Sequence, residues 1–169
     1  MHNTDILKIA DMVASEMKSK KATFECTTIS LALAKRIAQR VEEKATEMGV
    51  KAVVSVCSIG ARPVLTECMD DSYIASFDIA FNKAFTSVSL KMSTTKLKSL
   101  SQPHGPLYGI QQTNDSKIVI FGGGEPLVLS GKIIGGLGVS GGSEDQDTAL
   151  AAFGASIVEE EAKNVYNGV

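Results

Sequence analysis

The sequence predicts a single α/β domain of the α+β kind, an antiparallel sheet of five short strands flanked by three or four substantial helices. Three observations carry that prediction. At 169 residues the chain is long enough for one well-buried core and too short for two. Apolar, β-branched runs of strand length fall at 50–58, 63–69, 118–121, 126–129 and 132–139, each bounded by glycine, proline or serine. Apolar residues three and four apart mark helices over 28–48, 72–88 and 143–158.

Each element has its own local reason. Over 4–18, Ile6, Ile9, Ala10, Val13 and Met17 keep helical spacing, while Asp5, Lys8, Asp11, Glu16 and Lys18 lie elsewhere on the helix. The polar stretch Lys18-Ser19-Lys20-Lys21 then reads as a linker, dividing the chain into residues 1–21 and one domain over 22–169. The next helix gathers Leu31, Ala34, Ile37, Ala38, Val41, Ala45 and Met48 on one face and stops at Gly49. A buried strand over 50–58 pairs with 63–69, where Pro63 opens the strand and its missing N–H is tolerated. Ser72 is the expected cap of a helix burying Ile74, Phe77, Phe81, Ala84, Phe85 and Val88. Ser93 or Thr94 caps a short helix ending near Leu100, and Gln102-Pro103-His104-Gly105-Pro106 cannot continue it. Three apolar runs separated by Gly122-Gly123-Gly124 and Ser130-Gly131 suggest a meander. Ser143 with Gln146 forms a capping box for a last helix through Ala149, Ala152, Phe153, Ile157 and Val158.

Composition narrows the function classes. Seventeen basic and nineteen acidic residues give a net charge of −2, and no basic stripe is interleaved with aromatics, which argues against nucleic acid. No secretory signal is visible and no apolar run approaches the ~20 residues of a membrane span. The three cysteines Cys26, Cys57 and Cys68 lack metal-type spacing and fit a reducing compartment, so the cytoplasm is the expected location. The absence of Cys-x-x-Cys-His excludes c-type haem attachment.

From Ile29 to Gly154 the order of motifs resembles the GlcG/HbpS family, which includes the C-terminal domain of PduO proteins. The segments that carry the likeness are GVKAVVSVCSIGARPVLTECMDDSYIASFDIAFNKAFTSVSL, PLYGI and IVIFGGGEPLVLSGKIIGGLGVSGGSEDQD, the last being the most specific. The resemblance implies a profilin-like three-layer arrangement around a five-stranded antiparallel sheet, homo-oligomers, and haem binding in several members. It also implies a companion role in glycolate, diol or cobalamin metabolism, and no shared reaction. Family members usually carry Asp-Ala-Gly-Gly where this chain has Cys57-Ser58-Ile59-Gly60, and Arg-Met-Asp-Gly where it has Cys68-Met69-Asp70-Asp71. A basic and an acidic group are thus replaced at strand ends.

Haem as a ligand needs an axial donor, and His104, Cys57, Cys68, Met69 and Tyr108 have the right chemistry in the matched segments. His104, between Pro103 and Pro106, is the first candidate for the iron; the alternative is an ordinary surface histidine. Cys57 and Cys68 at neighbouring strand ends approach each other or a metal, or are small buried hydrophobes. Gly141 and Gly142 before the capped helix offer backbone N–H groups to a carboxylate such as a propionate, against which stand Glu144, Asp145 and Asp147. Lys83 is a candidate partner for an acidic ligand, or an ordinary solvated or salt-bridged lysine. No Ser-His-Asp, Cys-His or paired-carboxylate set can be assembled, which leaves enzyme status open.

Residues 4–18 fall outside the matched region and resemble the short amphipathic tails that direct enzymes into bacterial microcompartments. A shell or core protein is one partner for them; the domain itself or an oligomer interface is the other. Three functions stand side by side: a non-covalent haem or tetrapyrrole-binding accessory protein; a small enzyme or subunit acting on a corrinoid, hydroxy acid or aldehyde; and an oligomeric assembly factor without a ligand.

Overall fold

The computed structural model describes residues 27–167; the expected helix at 4–18, its linker and Cys26 lie outside the described residues. The elements are α1 (Leu31–Glu47), β1 (Val53–Ser58), β2 (Pro63–Cys68), α2 (Ser76–Leu90), α3 (Thr94–Leu100), β3 (Gly124–Leu129), β4 (Lys132–Ser140), α4 (Glu144–Ser156) and α5 (Val158–Asn167). Two single 3-10 turns, Ile110–Gln112 and Asn114–Ser116, interrupt the long connection between α3 and β3.

The sheet has four strands among the described residues, in the order β2-β1-β4-β3 with every neighbour antiparallel. The expected count of five fails at 118–121. There Ile118 is buried, but the Val119 N–H donates to the Thr86 hydroxyl of α2 (3.0 Å) instead of to a strand. The chain then bends through Phe121 and two glycines, and β3 begins at Gly124, whose N–H is taken by the Thr94 hydroxyl (2.9 Å). The run is apolar because one residue is buried beside a helix, a requirement that periodicity cannot separate from strand pairing.

Helices cover both faces. Val54, Val56, Leu137 and Val139 point to the larger core, where α1 contributes Leu33, Ala34, Ile37, Ala38, Val41 and Ala45, and α4 contributes Leu150 and Ala151. Fully burying each of the larger side chains contributes about 1.5–3 kcal/mol. Leu31, expected in this face, is half exposed, and Leu33 takes its place. The capping box at Ser143 forms as predicted, but the last helix breaks at Ile157 into α4 and α5, and Ala149 and Ala152 face solvent.

On the other face α2 lies unusually close to β4. A Cβ on Gly138 would overlap the Ala80 carbonyl oxygen, and one on Gly136 would overlap the Ala84 carbonyl oxygen. Only hydrogen at those positions lets the helix backbone touch the sheet. The inward side of α2 is accordingly small or polar: Ser76, Ala80, Lys83, Ala84, Thr86, Ser87 and Val88. The predicted face is corrected in part: Ala84 and Val88 are buried and Phe81 packs partly buried against them, but the N-terminal end of the face turns outward. Ile74 is 95% exposed and Phe77 51% exposed, because a helix this close to a sheet has no room beneath it for large rings. Ser72 does not cap α2, which starts after Ala75 with no side-chain cap.

Candidate functional site

Where β4 ends and α4 begins, the chain passes through Gly141 and Gly142 and opens a cleft of about 300 Å³. Tyr73, Ala75, Ile79 and Phe121 form its apolar walls; Ser76, Ser140, Gly141, Gly142, Glu144 and Asp147 form its polar floor. The Ser76 and Ser140 hydroxyls bond to each other (3.1 Å), which joins the start of α2 to the end of β4.

Beneath that floor sits a buried ion pair. Lys83, with no exposed side-chain surface, donates to Asp147 Oδ2 (2.7 Å) and to the Val139 carbonyl (2.8 Å). Its Nζ lies 4.9 Å from the centre of the Phe121 ring, a cation–π contact. Burial pushes the Lys83 ammonium below its ordinary value, and the Asp147 carboxylate opposes that shift. Space for the ammonium depends on Gly123: at φ +108 it has the left-handed backbone that glycine favours, and a Cβ there would stand 2.7 Å from Lys83 Nζ. Asp147 Oδ1 also accepts the Gly142 N–H (2.9 Å). Glu144 accepts from Lys98 (2.7 Å) and from the Gly122 N–H (2.9 Å), and these two bonds hold its carboxyl below the usual range.

The floor is therefore neutral in sum, with each carboxylate matched to a lysine. Of the predicted site residues, Gly141 and Gly142 line the cleft, and the Gly142 N–H is already taken by Asp147. Lys83 is turned inward into its ion pair, away from any solvent-borne ligand. His104 is exposed, at φ +69 on the loop after α3, and Tyr108 is exposed on the same loop. Neither lines the cleft.

Cys68 ends β2 opposite Val53, and Val53 in turn pairs with Ser140, so two strand spacings of about 4.8 Å each separate Cys68 from the floor. Cys57 pairs with Pro63 at the other end of the hairpin, so the register holds the two thiols apart; of the two readings, Cys57 takes the small buried hydrophobe, while Cys68 is exposed. Burial pushes the Cys57 thiol up to about 12. Among the described residues no group of three or more His, Cys, Asp or Glu is placed to hold a metal ion, and no helix is long and apolar enough to cross a membrane.

A family model described as haem degrading protein HbpS-like matches residues 29–156, the stretch from the entry into α1 to the end of α4. The chain belongs to the HbpS-like family. An uncharacterized 15.0 kDa protein from the dhaT-dhaS intergenic region of Citrobacter freundii is 48% identical over 127 residues, 75% of this chain and 89% of that protein. The corrinoid adenosyltransferase PduO of Citrobacter freundii is 32% identical over 156 residues, 89% of this chain. The alignment takes in 47% of that enzyme, so this HbpS-like chain spans about half its length. A solved structure of a PduOC:heme complex superposes with a TM-score of 0.73 at 34% identity, covering 76% of this chain and 94% of that one.

Sequence reasoning missed the parts of this HbpS-like cleft that are not polar. Tyr73 falls outside the face the spacing marks as buried, Phe121 reads as the end of a strand, and Asp147 as one more acid at a helix start. The signal available for Phe121 was its place directly before three glycines, since a large ring beside residues without side chains is often a wall over a hollow.

Proposed function

We propose that the protein is a non-covalent haem or tetrapyrrole-binding accessory protein of a PduO-related pathway, acting as a homo-oligomer. The observation that carries this reading is the cleft at the β4–α4 junction, with aromatic walls over a charge-neutral floor. A flat apolar ring is held by stacking and area burial on such walls. A floor whose carboxylates are already paired to lysines would not repel the ring.

The residues present fit the edge of a macrocycle. At about 300 Å³ the cleft stands at the small end of the range for ligand sites, about 300–1,000 Å³. Tyr73 and Phe121 would hold the ring, and Tyr73 is the lining residue with a phenolic oxygen of the kind that ligates haem iron. His104, exposed on its loop, is a second donor that would approach from outside the lining. Bound haem would supply redox or gas-ligand chemistry at its iron. The likeness to the PduOC:heme complex supports the reading, as does the family description.

The test is a haem titration of the purified apo-protein by absorbance, repeated with Phe121→Ala, Tyr73→Phe, His104→Ala and Cys68→Ala. A saturating Soret shift that Phe121→Ala weakens by about tenfold, or about 1.4 kcal/mol of lost stacking and burial, is the expected result. A change of band position in Tyr73→Phe or His104→Ala identifies the iron donor. The absence of a saturable shift in the unmodified chain refutes the proposal.

A further inference from the structure

Two residues both line the cleft and touch the Lys83 ammonium: Asp147, bonded to it, and Phe121, whose ring centre lies 4.9 Å from Nζ. Asp147 is held in place by Lys83 and by the Gly142 N–H. The Phe121 ring is therefore the side of the lysine's enclosure that can open, and with Lys83 fully buried it stands closed.

The ring's position is fixed by the chain on either side of it. Before it, the Val119 N–H donates to the Thr86 hydroxyl (3.0 Å). After it, three successive residues are bonded: the Gly122 N–H donates to Glu144 (2.9 Å), the Gly123 carbonyl accepts from the Val139 N–H (2.8 Å), and the Gly124 N–H donates to the Thr94 hydroxyl (2.9 Å). Val139 and Thr94 are buried, whereas the Glu144 side chain is 35% exposed. Glu144 is thus the anchor nearest the ring and the one that solvent reaches. Its other oxygen accepts from Lys98 of α3 (2.7 Å). Packing serves the same joint: a Cβ on Gly122 would overlap Thr148 Oγ1 and stand 3.3 Å from Glu144 Cγ, so the backbone lies directly on α4.

We propose that Glu144 is a positioning residue: by clamping Gly122 to the start of α4 it holds the Phe121 ring closed over Lys83 and so sets how tightly the cleft holds a flat ligand. The binding half of this assignment rests on the haem reading of the cleft; the clamp itself does not.

Acetylation by an N-hydroxysuccinimide ester at trace levels, followed by peptide mass spectrometry, reads the clamp with no ligand present. In the unmodified chain the exposed Lys91 and Lys96 are expected to react and Lys83 to be protected. Glu144→Ala should speed Lys83 labelling roughly tenfold or more, the worth of a hydrogen bond to a charged group. Glu144→Gln keeps an acceptor for the Gly122 N–H and should restore most of the protection. In a Phe121→Ala background Lys83 is already open, and adding Glu144→Ala should change its labelling less than about twofold, because Glu144 acts through the ring. Buried Cys57, probed with an aromatic disulfide reagent, should stay unreactive in Glu144→Ala, which separates local opening from unfolding. Unchanged Lys83 labelling in Glu144→Ala, Cys57 labelling that rises with it, or a full further gain in the Phe121→Ala background overturns the proposal. Haem titration of the same variants tests the binding half: Glu144→Ala should weaken binding about as much as Phe121→Ala, and undiminished binding overturns that half. Absence of a saturable shift in the unmodified chain would refute the haem reading alone, since the labelling result stands without it.

Discussion

Lys83→Met is the sharpest test of the architecture. The substitution keeps most of the volume and removes the ammonium, leaving the Asp147 carboxylate, whose side chain is only 6% exposed, with the Gly142 N–H as its remaining partner. Removing one member of a buried pair costs about 3–5 kcal/mol. The lower end applies, because Asp147 keeps one strong acceptor bond and borders the cleft, where water reaches it. About 3 kcal/mol in a domain of this length lowers Tm by roughly 6–12 °C. The assay is urea unfolding by circular dichroism with the m-value checked for constancy, run on Lys83→Met, Asp147→Asn and the double variant. The double variant is expected to regain more than half of the Lys83→Met loss, since no charge is left buried alone. A Lys83→Met loss below about 1 kcal/mol, the worth of an exposed pair, would refute the claim that the floor rests on a desolvated ion pair. So would a double variant that shows simple additivity.

Other perturbations follow from the same geometry. Gly138→Ala places a methyl against the Ala80 carbonyl and the Ala84 N–H, both backbone groups, and should cost about 3 kcal/mol or more, read by the same unfolding assay. In a Cys26→Ser background, an aromatic disulfide reagent at pH 8 should label the exposed Cys68 within minutes and Cys57, with its thiol pushed up to about 12, only on unfolding. Glu161 gives an acid-side prediction. Burial pushes its carboxyl up, but bonds from Asn164, Arg36 and Arg40 outweigh burial and hold it below its ordinary value. Its contribution is therefore full above the unfolded value of about 4.3 and is lost as pH falls through the folded value. Glu161→Gln should flatten the fall of stability below that pH, measured as urea midpoints between pH 3 and 7.

The sequence made legible whatever a single element decides for itself. The α1 stripe, the Ser143 capping box with Gln146, the Ser93-capped short helix and the 130–131 hairpin all follow from local spacing and capping chemistry, and all are present. What it concealed depends on how closely two elements approach. The phenylalanines of α2 have the spacing of a buried face, yet the glycines of β4 bring the helix so near that its small side packs, Phe81 and Phe85 are only partly buried and Phe77 turns out. The two facts lie some 50 residues apart in the chain, and neither alone announces the other. The same separation hid Lys83 and Asp147, 64 residues apart. Lys83 reads as a partner for an acidic ligand or as an ordinary solvated or salt-bridged lysine, and Asp147 as one more acid at a helix start, until the fold buries them together.

The cleft arises from one packing choice and not from an added loop. Because Gly136 and Gly138 admit the α2 backbone, Ser76 and Lys83 meet the end of β4 directly, and the ion pair fills what would otherwise be a void. Because α2 packs on its small side, Tyr73, Ile74 and Phe77 are displaced outward around the same point. Enlarging the β4 glycines would lift α2, loosen the Lys83–Asp147 pair and alter the apolar rim at once. Stability of the ion pair and binding at the cleft should therefore fall together in a Gly136→Ala or Gly138→Ala series. They should separate in Tyr73→Ala, which removes a largely exposed wall and leaves the helix–sheet contact intact.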